Sequence, residues 1–234
     1  MQKNMEGSPM DRKITVKGIG HITAKPDYVI IYLSIEEINK KYEKAVDEAN
    51  NKITLLIKAL SKIGFKQEDV KTVDYKVATN VEYKTNRKGT GEYIRNGFKC
   101  SNRLKVAFDF DNEKLSKTVE AISNCVAEPK VSISFSVKDE EAVKDELLKS
   151  AGANAKRRAQ ILCESAGGNL GELITVNYNW NEISILSPTR FDSINETTSL
   201  LDEFTAATPS MTPKSFEPDD IDLSDSAVFV WEIK

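Results

Sequence analysis

Alanine is spaced between residues 139 and 176 in a way that few folds accommodate. Leu148, Ala151, Ala155, Ala159, Leu162 and Ala166 follow one another at steps of three and four, which places them on one face of a helix. With alanine at most of these positions, that face can approach a sheet closely. Asp139-Glu140-Glu141 opens the stretch and Gly167-Gly168 closes it. Acids suit the positive end of a helix dipole, and glycine suits the left-handed residue that commonly ends a helix. The chain then restarts as Leu173-Ile174-Thr175-Val176, an apolar run of strand type. The pattern demands a sheet for the helix to lie on.

Strands of the required kind stand on both sides of this helix. Ile14 and Val16 alternate with Thr15 and Lys17 before Gly18-Ile19-Gly20. A Gly-x-Gly after a strand invites a dinucleotide-binding reading, which needs a helix next. Pro26 and a second strand follow instead, so a bulge or tight bend is the better expectation. His21, the only histidine, is expected at the surface or in a turn, and one histidine with scattered carboxylates does not make a metal site. Tyr28–Ile38 is apolar on both alternating faces in its first half, as in a strand covered on both sides. Asn39 is placed to cap a helix whose wide stripe runs from Tyr42 through Ala45, Ala49, Ile53, Leu56 and Leu60 to Ile63, closed by Gly64.

From Val70 the period is two through Val73, Tyr75, Val77, Thr79, Val81 and Tyr83, and Tyr93–Phe110 returns the chain. This predicts a long hairpin with a basic tip at Lys84, Arg87, Lys88 and Arg95, read as a solvated end that discourages edge pairing. Asp111-Asn112 is placed to cap a short helix carrying Leu115, Val119 and Ile122. Val131, Ile133, Phe135 and Val137 alternate with serines as a one-sided strand. Prolines, serines, threonines and acids fill residues 187–226, which reads as a long irregular excursion. Within it, Leu200–Phe204 suits a helical turn and Asn195-Glu196-Thr197 fits a glycosylation pattern. Ala227–Ile233 closes the chain as a strand. Residues 1–12 are expected to be flexible.

Composition narrows the function classes. A formal net charge of -3 argues against nucleic-acid binding by phosphate neutralisation. Cys100, Cys125 and Cys163 make an odd number with no CxxC pair, so a disulfide framework is not expected and buried apolar roles are. Arg157 and Arg158 lie too far along the helix from Cys163 to activate it as a thiolate. No apolar run approaches the ~18 residues that a membrane span requires. Met1–Met10 holds no apolar core of a secretory signal. A cytoplasmic location is therefore expected, with the periplasm or cell envelope as the alternative if a signal has been removed.

Dropping the first strand, residues 27–138 read βαββαβ, the ferredoxin-like order. Residues 13–26 with 139–234 would build a second lobe from both chain ends. The expected fold class is α+β, with largely antiparallel sheets and helices packed on one face. At this point the chain resembles SIMPL-domain proteins, a family of unknown function. The resemblance rests on Ile14-Thr15-Val16-Lys17-Gly18-Ile19-Gly20 with Lys25-Pro26-Asp27, Ala45 and Ala49, and Gly97-Phe98 with Asn102. It continues through Ala151, Ala155, Ala159, Ala166, Gly168 and Leu170-Gly171 to Ala227-Val228-Phe229-Val230. It covers about residues 13–234. Glu128-Pro129-Lys130 departs from it where glycine is frequent in the family, and Pro218-Asp219-Asp220 replaces a common Pro-Gly.

The resemblance implies a periplasmic or envelope protein linked to stress defence and immunogenicity, with some relatives forming ring or channel-like homo-oligomers. It carries over no catalytic, cofactor-binding or metal-binding residue, and no cofactor. A non-enzymatic homo-oligomer is the expected activity. The alternatives are an adaptor that binds a protein partner through residues 187–226 and a thiol-based redox protein. Neither a nucleic-acid partner nor a membrane span is expected.

Overall fold

The computed structural model describes residues 12–85, 91–179, 183–192 and 216–234. The chain runs β1 (Lys13–Ala24), β2 (Tyr28–Asn39), α1 (Tyr42–Ser61), β3 (Lys71–Thr85), β4 (Gly91–Asp109) and α2 (Asn112–Ser123). It continues through β5 (Lys130–Ser136), α3 (Glu140–Ser165), β6 (Leu170–Tyr178), β7 (Arg190–Asp192) and β8 (Ile221–Ile233). The class is α+β with two antiparallel sheets, one of three strands in the order β1-β8-β6 and one of five in the order β3-β4-β2-β5-β7. Two compact units hold them. One takes the residues up to Lys25 with Val137–Leu186 and Asp220–Lys234, and the other takes Pro26–Ser136 with Ser187–Asp219.

In the first unit α3 lies on the three-stranded sheet. Its N-cap, Asp139, accepts from the Ala142 amide at 3.0 Å, which satisfies one of the donors a helix leaves open at its start. The buried residues are Leu147, Ala151, Ala155, Ala159 and Cys163, a strict step of four. The expected face included Leu148, Leu162 and Ala166. Leu162 is instead 51% exposed and Ala166 is the C-cap, because a straight stripe at fours drifts away from a mixed three-and-four pattern. Opposite these alanines sit Gly18 and Gly20. A Cβ on Gly18 would stand 2.6 Å from the Ala155 Cβ, and one on Gly20 would stand 2.9 Å from the Ala151 nitrogen. The expected bulge is absent, since β1 keeps one register with β8 from Lys13 opposite Glu232 to Ala24 opposite Ile221. The glycines are there to admit the helix. His21 lies exposed within this strand, not in a turn.

β8 begins at Ile221, six residues before the strand expected at Ala227. Ile221 and Leu223 point inward and are buried, while Asp222, Ser224 and Asp225 had masked the alternation. Residues 187–192 and 216–219, expected in the same lobe as the last helix, belong to the other unit. Phe216 joins its core, 6.3 Å from the Phe135 ring, and β7 pairs with β5. The rest of the excursion, with Leu200–Phe204 and Asn195, lies outside the described residues, as do residues 1–11.

In the second unit α1 and α2 cover one face of the five-stranded sheet. Val29, Ile31, Leu33 and Ile35 of β2 meet Leu104, Val106 and Phe108 of β4, Ile133 and Phe135 of β5, and Leu56, Leu60, Leu115 and Val119 of the helices. The opposite face of β2, expected to be covered as well, is half-buried, and there the Arg103 guanidinium lies 4.3 Å from the Tyr32 ring centre. Asp111 caps α2 by accepting from the Lys114 amide at 2.6 Å. Asn39 does not cap α1. The N-cap is Lys41, and Asn39 accepts from the Lys41 amide at 3.1 Å. Glu128, standing where glycine is frequent in the family it resembles, has φ of 46°, the left-handed region that glycine favours.

Candidate functional site

Exposed apolar side chains gather where β3 and β4 outrun the helices beneath them. These strands have 15 and 19 residues, against 12 in β2 and 7 in β5. The far part of the pair therefore projects as a two-stranded ribbon. Its register shifts between Thr79 and Val81, and Gly97, at φ of 89°, admits the close backbone of Asn39. Beyond that irregularity Val81 stands opposite Arg95 and Tyr83 opposite Tyr93. The two tyrosine rings are 5.0 Å apart. Tyr83 also lies across Gly91, where any Cβ would collide with its ring.

The stripe continues toward α1. The Arg95 guanidinium sits 4.7 Å from the Phe98 ring centre, a cation–π contact, and Tyr42 meets Phe98 edge to face at 5.6 Å. Tyr75 stands beside it. Its hydrogen bond with Cys100 holds the phenol above its usual range, with burial and the charges of Cys100 and Tyr42 adding to the same direction. Val81, Tyr83, Tyr93 and Tyr42 are exposed by 50%, 60%, 78% and 52%. Tyrosine suits a surface that is alternately wet and covered, because its ring is apolar and its hydroxyl is not.

Tyr42, expected at the head of the apolar stripe of α1, stands at the surface, and the hairpin end was expected to carry a basic tip. Arg87 and Lys88 lie outside the described residues. Lys84 pairs with Glu82 at 3.7 Å and Arg95 is stacked on Phe98, so the two described cations have partners. Alternation by itself does not mark the aromatic stripe as exposed. Strand length was the available signal, because alternation carried past the reach of the helices must expose what it alternates.

Elsewhere on the five-stranded sheet Glu36 receives Lys99 at 2.7 Å and Lys130 at 3.3 Å. The Lys99 hydrogen bond is the largest cause that holds its carboxyl below the usual range. In the other unit the Tyr178 hydroxyl donates to Asp225 at 2.7 Å, which raises the phenol. Cys100, Cys125 and Cys163 are free and buried, and Arg158 is turned to the Lys17 carbonyl at 3.3 Å. Among the described residues no three or more His, Cys, Asp or Glu side chains are grouped to hold a metal ion. No helix among them is long and apolar enough to cross a membrane.

Comparison with known proteins adds a family. The family model SIMPL, described as a protein of unknown function (DUF541), matches residues 14–231. The 26 kDa periplasmic immunogenic protein of Brucella melitensis biotype 1 is 25% identical over 165 residues, 70% of this chain and 66% of that protein. The protein of the same description from Brucella abortus (strain S19) matches to the same extent. The chain thus spans just under two thirds of the length of these relatives. A crystal structure of an uncharacterized conserved protein from Listeria innocua aligns over 97% of this chain and 94% of that one. It does so at 12% identity and a TM-score of 0.20.

Proposed function

The chain belongs to the SIMPL family, and on that premise we propose that it is a non-catalytic, self-associating protein whose assembly surface is its activity. The observation that carries this reading is the stripe of Val81, Tyr83, Tyr93 and Tyr42, held by cross-strand pairing and ring contacts yet open to water. Contiguous exposed apolar groups of this kind mark association surfaces, and tyrosine and arginine are enriched in them. A second copy is the partner that the reading assigns. The periplasm is the location, in place of the cytoplasm expected from the N-terminal residues, because the Brucella relatives are described as periplasmic. The proposal includes a role in stress defence, which the resemblance to SIMPL-domain proteins implies. A deletion strain that survives envelope stress as its parent does would remove that role.

Light scattering coupled to size exclusion tests the assembly. The expected result is a mass that is a multiple of the 26.1 kDa chain and falls when Tyr83→Lys and Tyr93→Lys are combined. A strict monomer at every concentration overturns the reading.

A further inference from the structure

The three-stranded sheet ends in two edges, and the protein treats them differently. At β1, three α3 side chains one turn apart reach over the strand to its backbone. Asn154 Oδ1 accepts from the Ile19 amide at 3.1 Å. Ser150 Oγ accepts from the His21 amide at 3.2 Å and donates to the His21 carbonyl at 3.3 Å. Arg158 donates to the Lys17 carbonyl at 3.3 Å. Lys13 and Lys17 add charge along the same strand. Such an edge is shut to further strands.

At β6 none of this is present. No side chain among the described residues bonds the backbone of residues 170–177, and Glu172 is the only charged residue from Leu170 to Asn179. Leu173, Ile174 and Val176 are 51%, 47% and 44% exposed. Register shifts between Leu170 and Thr175 irregularise the first half, but Thr175–Tyr178 pairs evenly with Val230–Ala227 of β8. An apolar edge without cations, evenly paired to its inner neighbour over Thr175–Tyr178, is a template for another strand.

The strand is also complementary to itself. Turned antiparallel about Val176, Ile174 meets Tyr178 and Val176 meets its copy, so apolar side chains oppose one another on one face. Thr175 meets Asn177 on the other. No like charges are opposed, whereas β1 paired with itself about Lys17 would set lysine on lysine. We propose that β6 pairs antiparallel with β6 of a second copy through Ile174–Tyr178, joining two three-stranded sheets into one. This inference rests on the self-association reading and supplies it with a two-fold contact.

The test is made on the full chain. Val176→Cys sits on the proposed two-fold axis, where facing Cα atoms of antiparallel strands lie ~4.5–5.5 Å apart, within disulfide reach. Mild oxidation is expected to give a covalent dimer from this variant and none from Thr15→Cys on the shut edge. Val176→Lys, and separately Thr175→Lys with Asn177→Lys at exposed positions, are expected to halve the solution mass with an unchanged circular dichroism spectrum. A monomeric parent chain overturns both this contact and the self-association reading. An oligomeric parent whose mass survives both lysine variants, with no Val176→Cys cross-link, overturns the β6 contact alone.

Discussion

Gly18 of β1 faces Ala155 of α3 so closely that a Cβ on the glycine would stand 2.6 Å from the alanine Cβ. Packing at this distance leaves no room for a methyl group, and the helix backbone behind it cannot yield as the end of a flexible side chain would. Gly18→Ala is therefore expected to destabilise the protein by about 1–3 kcal/mol, the usual cost of overpacking. Gly152, on the same helix, has only the Phe229 ring at 3.9 Å from its would-be Cβ. Gly152→Ala should stabilise by about 0.5–1 kcal/mol, the helix preference of alanine over glycine. Urea denaturation of the two variants gives opposite signs if the packing is as described.

Glu128 has a left-handed backbone that costs a side-chain-bearing residue about 1–2 kcal/mol. Glycine avoids this but loses more freedom on folding, by about 0.5–1 kcal/mol. Glu128→Gly should therefore gain up to about 1.5 kcal/mol in thermal or chemical denaturation. A loss of stability would mean that the carboxylate makes a contact worth more than the strain.

Glu36, held between Lys99 and Lys130, titrates below the ordinary glutamate range, about pH 4.3, chiefly through its Lys99 hydrogen bond. A depressed folded-state pKa adds stability that is complete above the unfolded value and fades as pH falls through the folded one. The parent chain should exceed Glu36→Gln in melting temperature at pH 7, and the two should converge once pH has fallen below the ordinary glutamate range and through the lowered folded-state pKa. The group is largely solvated, so the gap belongs to the small class of surface ion pairs, under about 1 kcal/mol. A gap that persists unchanged at low pH would show that it does not come from this carboxylate's charge.

Tyr83 lies across Gly91 and beside Tyr93. Gly91→Val should expel the Tyr83 ring and loosen the ribbon, lowering the mass of the assembly while the main transition temperature stays within a few degrees. Tyrosine fluorescence anisotropy and light scattering report the two effects. An unchanged mass would detach the stripe from association.

Much of the architecture was legible because it is written in period. The βαββαβ order of residues 27–138, the serine-backed strand before α3 and the acidic cap of α3 each follow from local alternation or helix spacing, which neighbours in sequence suffice to reveal. The start of β8 was not, because Asp222 and Ser224 occupy its outward positions, Asp225 stands half-buried on the inward side, and all three resemble loop chemistry when the partner strand is unknown. Gly18 and Gly20 were read as a break for the same reason. A glycine that makes room for a helix some 130 residues later looks no different from one that bends the chain.

The candidate surfaces were less visible still. Tyr42, Tyr83 and Val176 have the same side chains as buried residues in the same patterns, and only their distance from the nearest covering element makes them surface. Local propensity and periodicity thus determined which segments are helix or strand and which face of each is apolar. Whether an apolar face ends in a core or in water was decided by tertiary structure. That depends on how far α1 reaches along β3 and β4 and on which edge of its sheet α3 closes. Exposure is a property of what lies opposite a residue in space, and a linear pattern of residue types carries no record of it.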